Sequence, residues 1–472
     1  MFLEKIIWGD DNLLGMMVAL LVIIVCGYLI VKEYKAQAVL LAGGFVMMVV
    51  AIVFNFGPML PAKQSTGFIW FDLFKYVEDL LTTRTASLGI LIMTVAGFAR
   101  YIDKIGCGEA LVDICIRPLK AFKSPYLILS MGFIIGQFMH LVIPSASDLG
   151  LILMVTLYPI YRALGISKTS ATAVIGTNTC LDLGPASANA VLSAKTAGMP
   201  VIDYFIQYQV PMAITITLVV AVVHFFVQRW FDNKYDGALE SRIEDAHTDT
   251  QTGTKKINPP AIYAILPVLP LVFIIAFSYM HLYNIKMDIV SAMFVSLLIG
   301  MIFELIRIRN VKKVFAGIQS FFDGMGAQFA TVVTLIVAGE VFAKGLTSLG
   351  TINTVIQAAE SFGFGKIATI LVMTVIIAFS TVVMGSGNAP FFAFASFAPE
   401  IANKMGFEAV NLLLPMQIAS SVARSLSPIS AVMVAICGIS QISPFETVKR
   451  TAIPMMVGLL LTQIVTFILF GV

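Results

Sequence analysis

Val142-Ile-Pro-Ser-Ala-Ser-Asp-Leu-Gly150 and Val383-Met-Gly-Ser-Gly-Asn-Ala-Pro-Phe391 are two short polar interruptions in long apolar surroundings. They lie 241 residues apart, counted from Ser145 to Ser386, almost half of the 472-residue chain. Matching text runs outward from both. Gly165 and Gly406 close the segment after each interruption, and Leu183-Gly-Pro-Ala-Ser-Ala188 then faces Leu426-Ser-Pro-Ile-Ser-Ala431 at an offset of 243. Asp203 faces Glu446, Pro211 faces Pro454, and upstream Val95-Ala-Gly97 faces Val337-Ala-Gly339 at an offset of 242. An internal repeat therefore covers most of both halves. A repeated apolar unit that is broken twice is the mark of a secondary transporter, whose site forms where broken helices meet at mid-membrane.

Composition excludes a soluble class. Hydrophobic residues make up 58% and charged residues 12%, against about 25% charged in a soluble domain. Several apolar windows are long enough to cross a bilayer. The formal net charge of +3 is spread through loops and offers nothing to nucleic acid. Five cysteines show no metal spacing and read as small core residues. The run from Leu13 to Val31 has no small-residue cleavage site after it, and Val25 before Cys26 does not suit a lipoprotein signal, so it reads as a retained first helix.

The expected fold is an all-α polytopic membrane protein of two inverted repeats. Each has about five transmembrane helices, a re-entrant hairpin and a broken helix. The first repeat, 1–231, holds spans near 13–31, 37–55 and 87–104, a hairpin over 126–165, a broken span over 169–197 and a span over 208–228. A polar linker occupies 232–260. The second repeat, 261–472, holds spans near 261–281, 288–306 and 327–345, a hairpin over 367–405, a broken span over 410–437 and a last span over 452–471. Five spans per repeat make the second repeat enter from the opposite side. With both termini outside, 20 of the 30 Lys and Arg fall in cytoplasmic segments, the bias that orients membrane proteins. Lys449 and Arg450 are counted there, and Arg424 is the basic residue left well inside a span. Amphipathic stretches near 108–123 and 351–365 suit interfacial braces, with Arg117, Pro118 and Lys120 at the first.

Ser145, Ala146 and Ser147, with Ser386, Gly387 and Asn388, form the two hairpin tips. A turn inside the membrane frees backbone N–H groups at the start of its second half-helix. Those donors and the helix dipole attract an anion, and two such tips fit two carboxylates of one short diacid. The plainer reading makes them helix caps for buried backbone. The broken spans offer Thr177, Asn178, Thr179, Pro185 and Ser187 opposite Ser420, Ser421, Ser427, Pro428 and Ser430. Proline there removes an N–H and opens carbonyls to a cation or the substrate, while Ser and Thr also glue membrane helices together. Arg424 carries the fork geometry that suits a carboxylate, with a structural pair to Asp182 as the alternative. Asp148, Asp182 and Glu340 are embedded acids able to carry a coupling proton, although Asp148 also suits a helix start. His140, four residues before Pro144, reads as a packed histidine rather than a relay.

With those residues in place, the chain resembles the anaerobic four-carbon dicarboxylate carrier family of the DcuC type, within the ion transporter superfamily. The most specific stretches are Gly385-Ser-Gly-Asn-Ala-Pro390, Arg424-Ser-Leu-Ser-Pro428, Ile442-Ser-Pro-Phe-Glu-Thr-Val-Lys-Arg450 and Ser124-Pro125-Tyr126. The resemblance implies exchange or efflux of succinate, fumarate or malate in anaerobic growth, in a bacterial inner membrane, by a homodimer with elevator motion and no cofactor. Sodium-coupled dicarboxylate relatives carry a Ser-Asn-Thr tip, whereas these tips read Ser145-Ala-Ser147 and Ser386-Gly-Asn388. The departure favours proton coupling, with plain exchange or sodium as the alternatives. A carrier of amino acids or another organic anion on the same fold is the main rival. An intramembrane serine protease at Ser386 would need a positioned base, and no histidine follows His281. A channel is separated from a carrier by saturable exchange.

Overall fold

The structure, a computed structural model, describes residues 11–235, 259–350 and 365–469, apart from 33, 62, 118, 120, 121, 123, 281 and 286. Most of the linker, the stretch near 351–365 except its last residue, Pro118 and Lys120 of the first brace, and the end of the last span lie outside the described residues. Among the described residues every regular element is helical, and seven helices are long and apolar enough to cross a membrane.

The first half runs α1 (Asp11–Val31), α2 (Ala36–Val53), α3 (Ile69–Lys104), α4 (Cys107–Ile116), α5 (Pro125–His140), α6 (Ala146–Ala163), α7 (Lys168–Thr177), α8 (Ala188–Thr196) and α9 (Val201–Tyr235). The second runs α10 (Leu269–Tyr279), α11 (Ile289–Ile308), α12 (Val311–Ser348), α13 (Lys366–Met384), α14 (Asn388–Ala395), α15 (Ala398–Met405), α16 (Val410–Arg424), α17 (Ala431–Ser440) and α18 (Pro444–Leu469). Ile69 and Val311, Ala146 and Asn388, and Lys168 and Val410 open corresponding helices, each pair 242 residues apart.

Two expected spans prove to be parts of longer helices. The span placed at 87–104 is the apolar end of α3, which is 36 residues long, about 54 Å at 1.5 Å per residue. Asp72, Lys75, Glu78, Asp79 and Arg84 occupy its first half and hide it from a hydropathy reading. The span placed at 327–345 is likewise the apolar end of α12. Each helix contains one π turn, Thr85–Gly89 and Phe329–Val333, and the two turns touch. Arg84, which falls between the spans placed at 37–55 and 87–104, is instead part of α3 and pairs with Glu340 at 2.8 Å. The span placed at 261–281 is a 3₁₀ turn, a short α segment and a π turn, because Pro267 and Pro270 withhold backbone donors.

Glycine sets how closely the long helices approach. A Cβ on Gly97 of α3 would lie 2.7 Å from the Phe321 carbonyl, and one on Gly324 of α12 would lie 2.9 Å from the Ala96 carbonyl. The two backbones therefore touch directly, as small-residue crossings in membranes allow.

Polar side chains tie α5, α7, α9 and α18 together. Asp232 of α9 accepts from Arg450 of α18, from Ser167 and Ser170 at the start of α7, and from Tyr126 of α5. The two charged side chains are only 4% and 5% exposed. Arg450 is therefore a buried ion-pair member rather than a loop charge, and α9 continues past the expected linker start at 232.

Candidate functional site

A cavity of about 780 Å³ lies where the two halves meet. It is lined by the first tip, Pro144 to Asp148, by the second, Gly385 to Asn388, and by Asp182, Arg424 and the start of α17. The lining continues along α3 from Ile92 to Asp103, about 16 Å of helix, and along α12 from Gly324 to Val332. Arg100 is exposed and lines the cavity, whose other arginine, Arg424, is partly buried.

Each tip is a chain reversal followed by a helix start. Leu141 to Ser145 join α5 to α6, and the Ser145 hydroxyl accepts the Asp148 N–H at 3.3 Å. At the second tip the Ser386 hydroxyl accepts the Ala389 N–H at 3.4 Å. Both serines thus act as helix caps. Capping uses the oxygen as an acceptor and leaves the O–H free to donate to a ligand, so capping and anion binding are compatible. Gly385 has φ 69°, the left-handed conformation that favours glycine. Gly387 lies so close to α16 that a Cβ would stand 2.7 Å from the Ser420 carbonyl. Gly387→Ala should therefore push the tip off α16. Overpacking of this kind costs about 1–3 kcal/mol, roughly five- to a hundredfold in affinity if the bound state bears it. Succinate affinity and melting temperature of the purified variant check this, and an alanine tolerated in both would mean the tip is not seated on Ser420.

Of the residues singled out from sequence, Ser145, Ala146, Ser147, Asp148, Asp182, Ser386, Gly387, Asn388 and Arg424 line this one cavity. The rest stand behind it. Thr177 donates to the Val174 carbonyl and meets His224. Asn178 is fully buried against Gly136, with neither amide atom partnered, and the Thr179 and Ser430 hydroxyls are also buried and unpartnered. Pro185 borders a small void next to Pro144. Ser187 caps α8, and Ser427 donates to the Val382 carbonyl. Glu340 sits with Arg84, outside the cavity lining.

Arg424 closes α16 and donates through Nη2 to the Thr179 carbonyl at 2.6 Å, while its buried Nε has no protein partner. It forms no ion pair with Asp182, the alternative raised from sequence. Asp182 instead accepts from Asn189 at 2.9 Å, and the same amide reaches Asn388 of the second tip at 3.2 Å.

The carbonyls that a broken helix exposes are largely taken. Those of Gly176, Thr177, Thr179, Leu181 and Asp182 meet Ser425, Gln137, Arg424, His140 and Gln417, respectively, at 2.6–3.0 Å. Gln417 also accepts from Ser193, Tyr204 and Gln209. Sequence reasoning passed over Gln137 and Gln417, although a lone amide within an apolar helix is itself a signal that the amide has a buried partner.

A family model described as C4-dicarboxylate anaerobic carrier matches residues 14–471. The anaerobic C4-dicarboxylate transporter DcuC of Escherichia coli strain K12 is 35% identical over 451 residues, covering 96% of this chain and 96% of its own. A probable anaerobic C4-dicarboxylate transporter DcuC of Vibrio cholerae is 35% identical over 458 residues, covering 97% and 98%. Among solved structures, the Alcanivorax borkumensis YdaH transporter matches with a TM-score of 0.64 at 14% identity, over 93% of this chain and 99% of its own. MtrF of Neisseria gonorrhoeae, from a class of antimetabolite efflux pumps, matches at 0.60 and 14% identity over 91% and 95%. At that identity the two structures speak for the fold alone. The protein is a multi-pass membrane carrier and not an enzyme, and by the extent of these matches it belongs to the C4-dicarboxylate anaerobic carrier family.

Proposed function

We propose that this carrier moves succinate, fumarate or malate across a bacterial inner membrane by exchange or efflux, linked to protons. The observation that carries the reading is the shared cavity, in which two capped helix starts and Arg424 line the same space, with Arg100 on its α3 wall. Free N–H groups at the two helix starts suit one carboxylate each, and the guanidinium adds a fork. The matched order of elements supports two repeats, and the bias of Lys and Arg to one set of segments supports placing both termini outside. Elevator motion would carry both tips past the α3 and α12 wall, in a homodimer.

Asp182 in the cavity lining favours one rival, a zwitterion whose amine meets that carboxylate. Counterflow in proteoliposomes decides between them. Labelled succinate should exchange against internal fumarate or malate and resist ornithine. Competition by ornithine, with none by fumarate, would transfer the assignment to amino acids.

A further inference from the structure

Five consecutive-region carbonyls at the break after α7 are each met by a side-chain donor: a hydroxyl, two amides, a guanidinium and an imidazole. A metal cation needs several oxygens at once. A carbonyl does keep a second lone pair, but the Arg424 guanidinium fixes a positive charge where a second cation would have to come. Among the five donors only the imidazole ordinarily gains and loses a charge near neutral pH. We propose that His140 carries the coupling proton, a deepening of the proton-linked transport reading above that rests on it.

His140 is the last residue of α5 and is 1% exposed. Its Nδ1 lies 3.0 Å from the Leu181 carbonyl. A carbonyl only accepts, so Nδ1 carries the hydrogen and the neutral ring leaves Nε2 as a bare lone pair. That nitrogen is buried and has no partner. The Pro144 carbonyl, which belongs to the first tip, also lies beside the ring. A proton on Nε2 turns the imidazole into a double donor between Leu181 and the tip, fastening the tip to the break.

The groups facing the ring set the direction of coupling. Burial opposes a charge on the ring most, Asp182 attracts a proton there, and Arg424 repels it. Cys180 on the same break is held by Gln137, and His224 of α9 is engaged with Thr177. A dianion bound at Arg424 offsets the repulsion from the guanidinium. Substrate and proton therefore strengthen each other's binding by the same factor. Affinity falls as pH rises, by at most about tenfold per pH unit for one linked proton.

Fumarate, fully ionised throughout, is the probe, with the full-length carrier titrated from about pH 6 to about pH 8. Calorimetry in two buffers of different ionisation enthalpy should show proton uptake on binding to wild type, unchanged when choline replaces sodium. His140→Gln should bind fumarate with pH-independent affinity, keep counterflow and lose accumulation driven by a pH gradient. No proton uptake by wild type, or a sodium requirement, overturns the proposal without any variant. So does a pH dependence that survives in His140→Gln or disappears only in Asp182→Asn. A wild type that neither binds fumarate nor exchanges it would instead remove the dicarboxylate reading beneath.

Discussion

Arg424→Lys is expected to weaken succinate binding about ten- to a hundredfold. Losing a hydrogen bond to a charged partner costs about 1.5–3 kcal/mol, and each 1.4 kcal/mol is about tenfold. In the structure one guanidinium nitrogen is engaged by Thr179, while Nε stays buried without a protein partner in a side chain that lines the cavity. Arginine can hold the break and present donors to a carboxylate together because its five N–H groups form a rigid fork. A lysine ammonium keeps the charge but is a single point, and must choose. Ser145→Ala and Ser386→Ala should cost less, because the backbone N–H groups of each helix start remain. Binding of succinate and of butyrate to wild type and to Arg424→Lys reads the clamp directly. Butyrate should compete poorly with wild type, since it leaves one set of desolvated donors unfilled. If lysine binds succinate as tightly as arginine does, Arg424 is a structural strut and the diacid lies elsewhere.

Asp232→Ala is expected to lower stability by about 3–5 kcal/mol, the usual penalty for removing one partner of a buried ion pair. The carboxylate accepts from Arg450, Ser167, Ser170 and Tyr126, so its loss removes the acceptor common to α5, α7 and α18. The penalty comes from a buried guanidinium deprived of its counter-charge more than from the attraction itself. Asp232→Leu combined with Arg450→Met should therefore recover much of the loss, because apolar replacements of a buried pair are often neutral. Melting temperatures in detergent for the single and double variants test this. A double variant as unstable as the single would place the cost in packing instead.

The tips and the two breaks were legible in the sequence because each is a short polar exception that recurs 241 to 243 residues on, and Arg424 because it is the basic residue left well inside a span. Their meeting in one cavity follows from packing between halves and has no local signature, which is why Thr177 and Ser427 could not be told from Ser145 and Ser386. Arg84 was read as lying between spans for a definite reason. The charges from Asp72 to Arg84 make that half of α3 look like loop, although helix propensity is indifferent to membrane depth. Once the span is clipped at 87, Glu340 looks like a lone acid. Arg450 and Asp232 were misread in the same way: charges near helix ends count as loop charges until the fold shows them facing each other. Ser145 shows the opposite limit, because its roles as cap and as ligand donor use different parts of one hydroxyl.

The covered carbonyls at the first break also bear on how the protein is made. Gly176, Thr179 and Asp182 belong to the half that leaves the ribosome first, whereas Ser425, Arg424 and Gln417, which cover them, come about 240 residues later. Until then those carbonyls need water, lipid headgroups or a helper protein, since bare carbonyls are costly in hydrocarbon. The first half must therefore wait at the bilayer unfinished, and a nascent chain stopped before residue 410 should be a preferred substrate for membrane quality control.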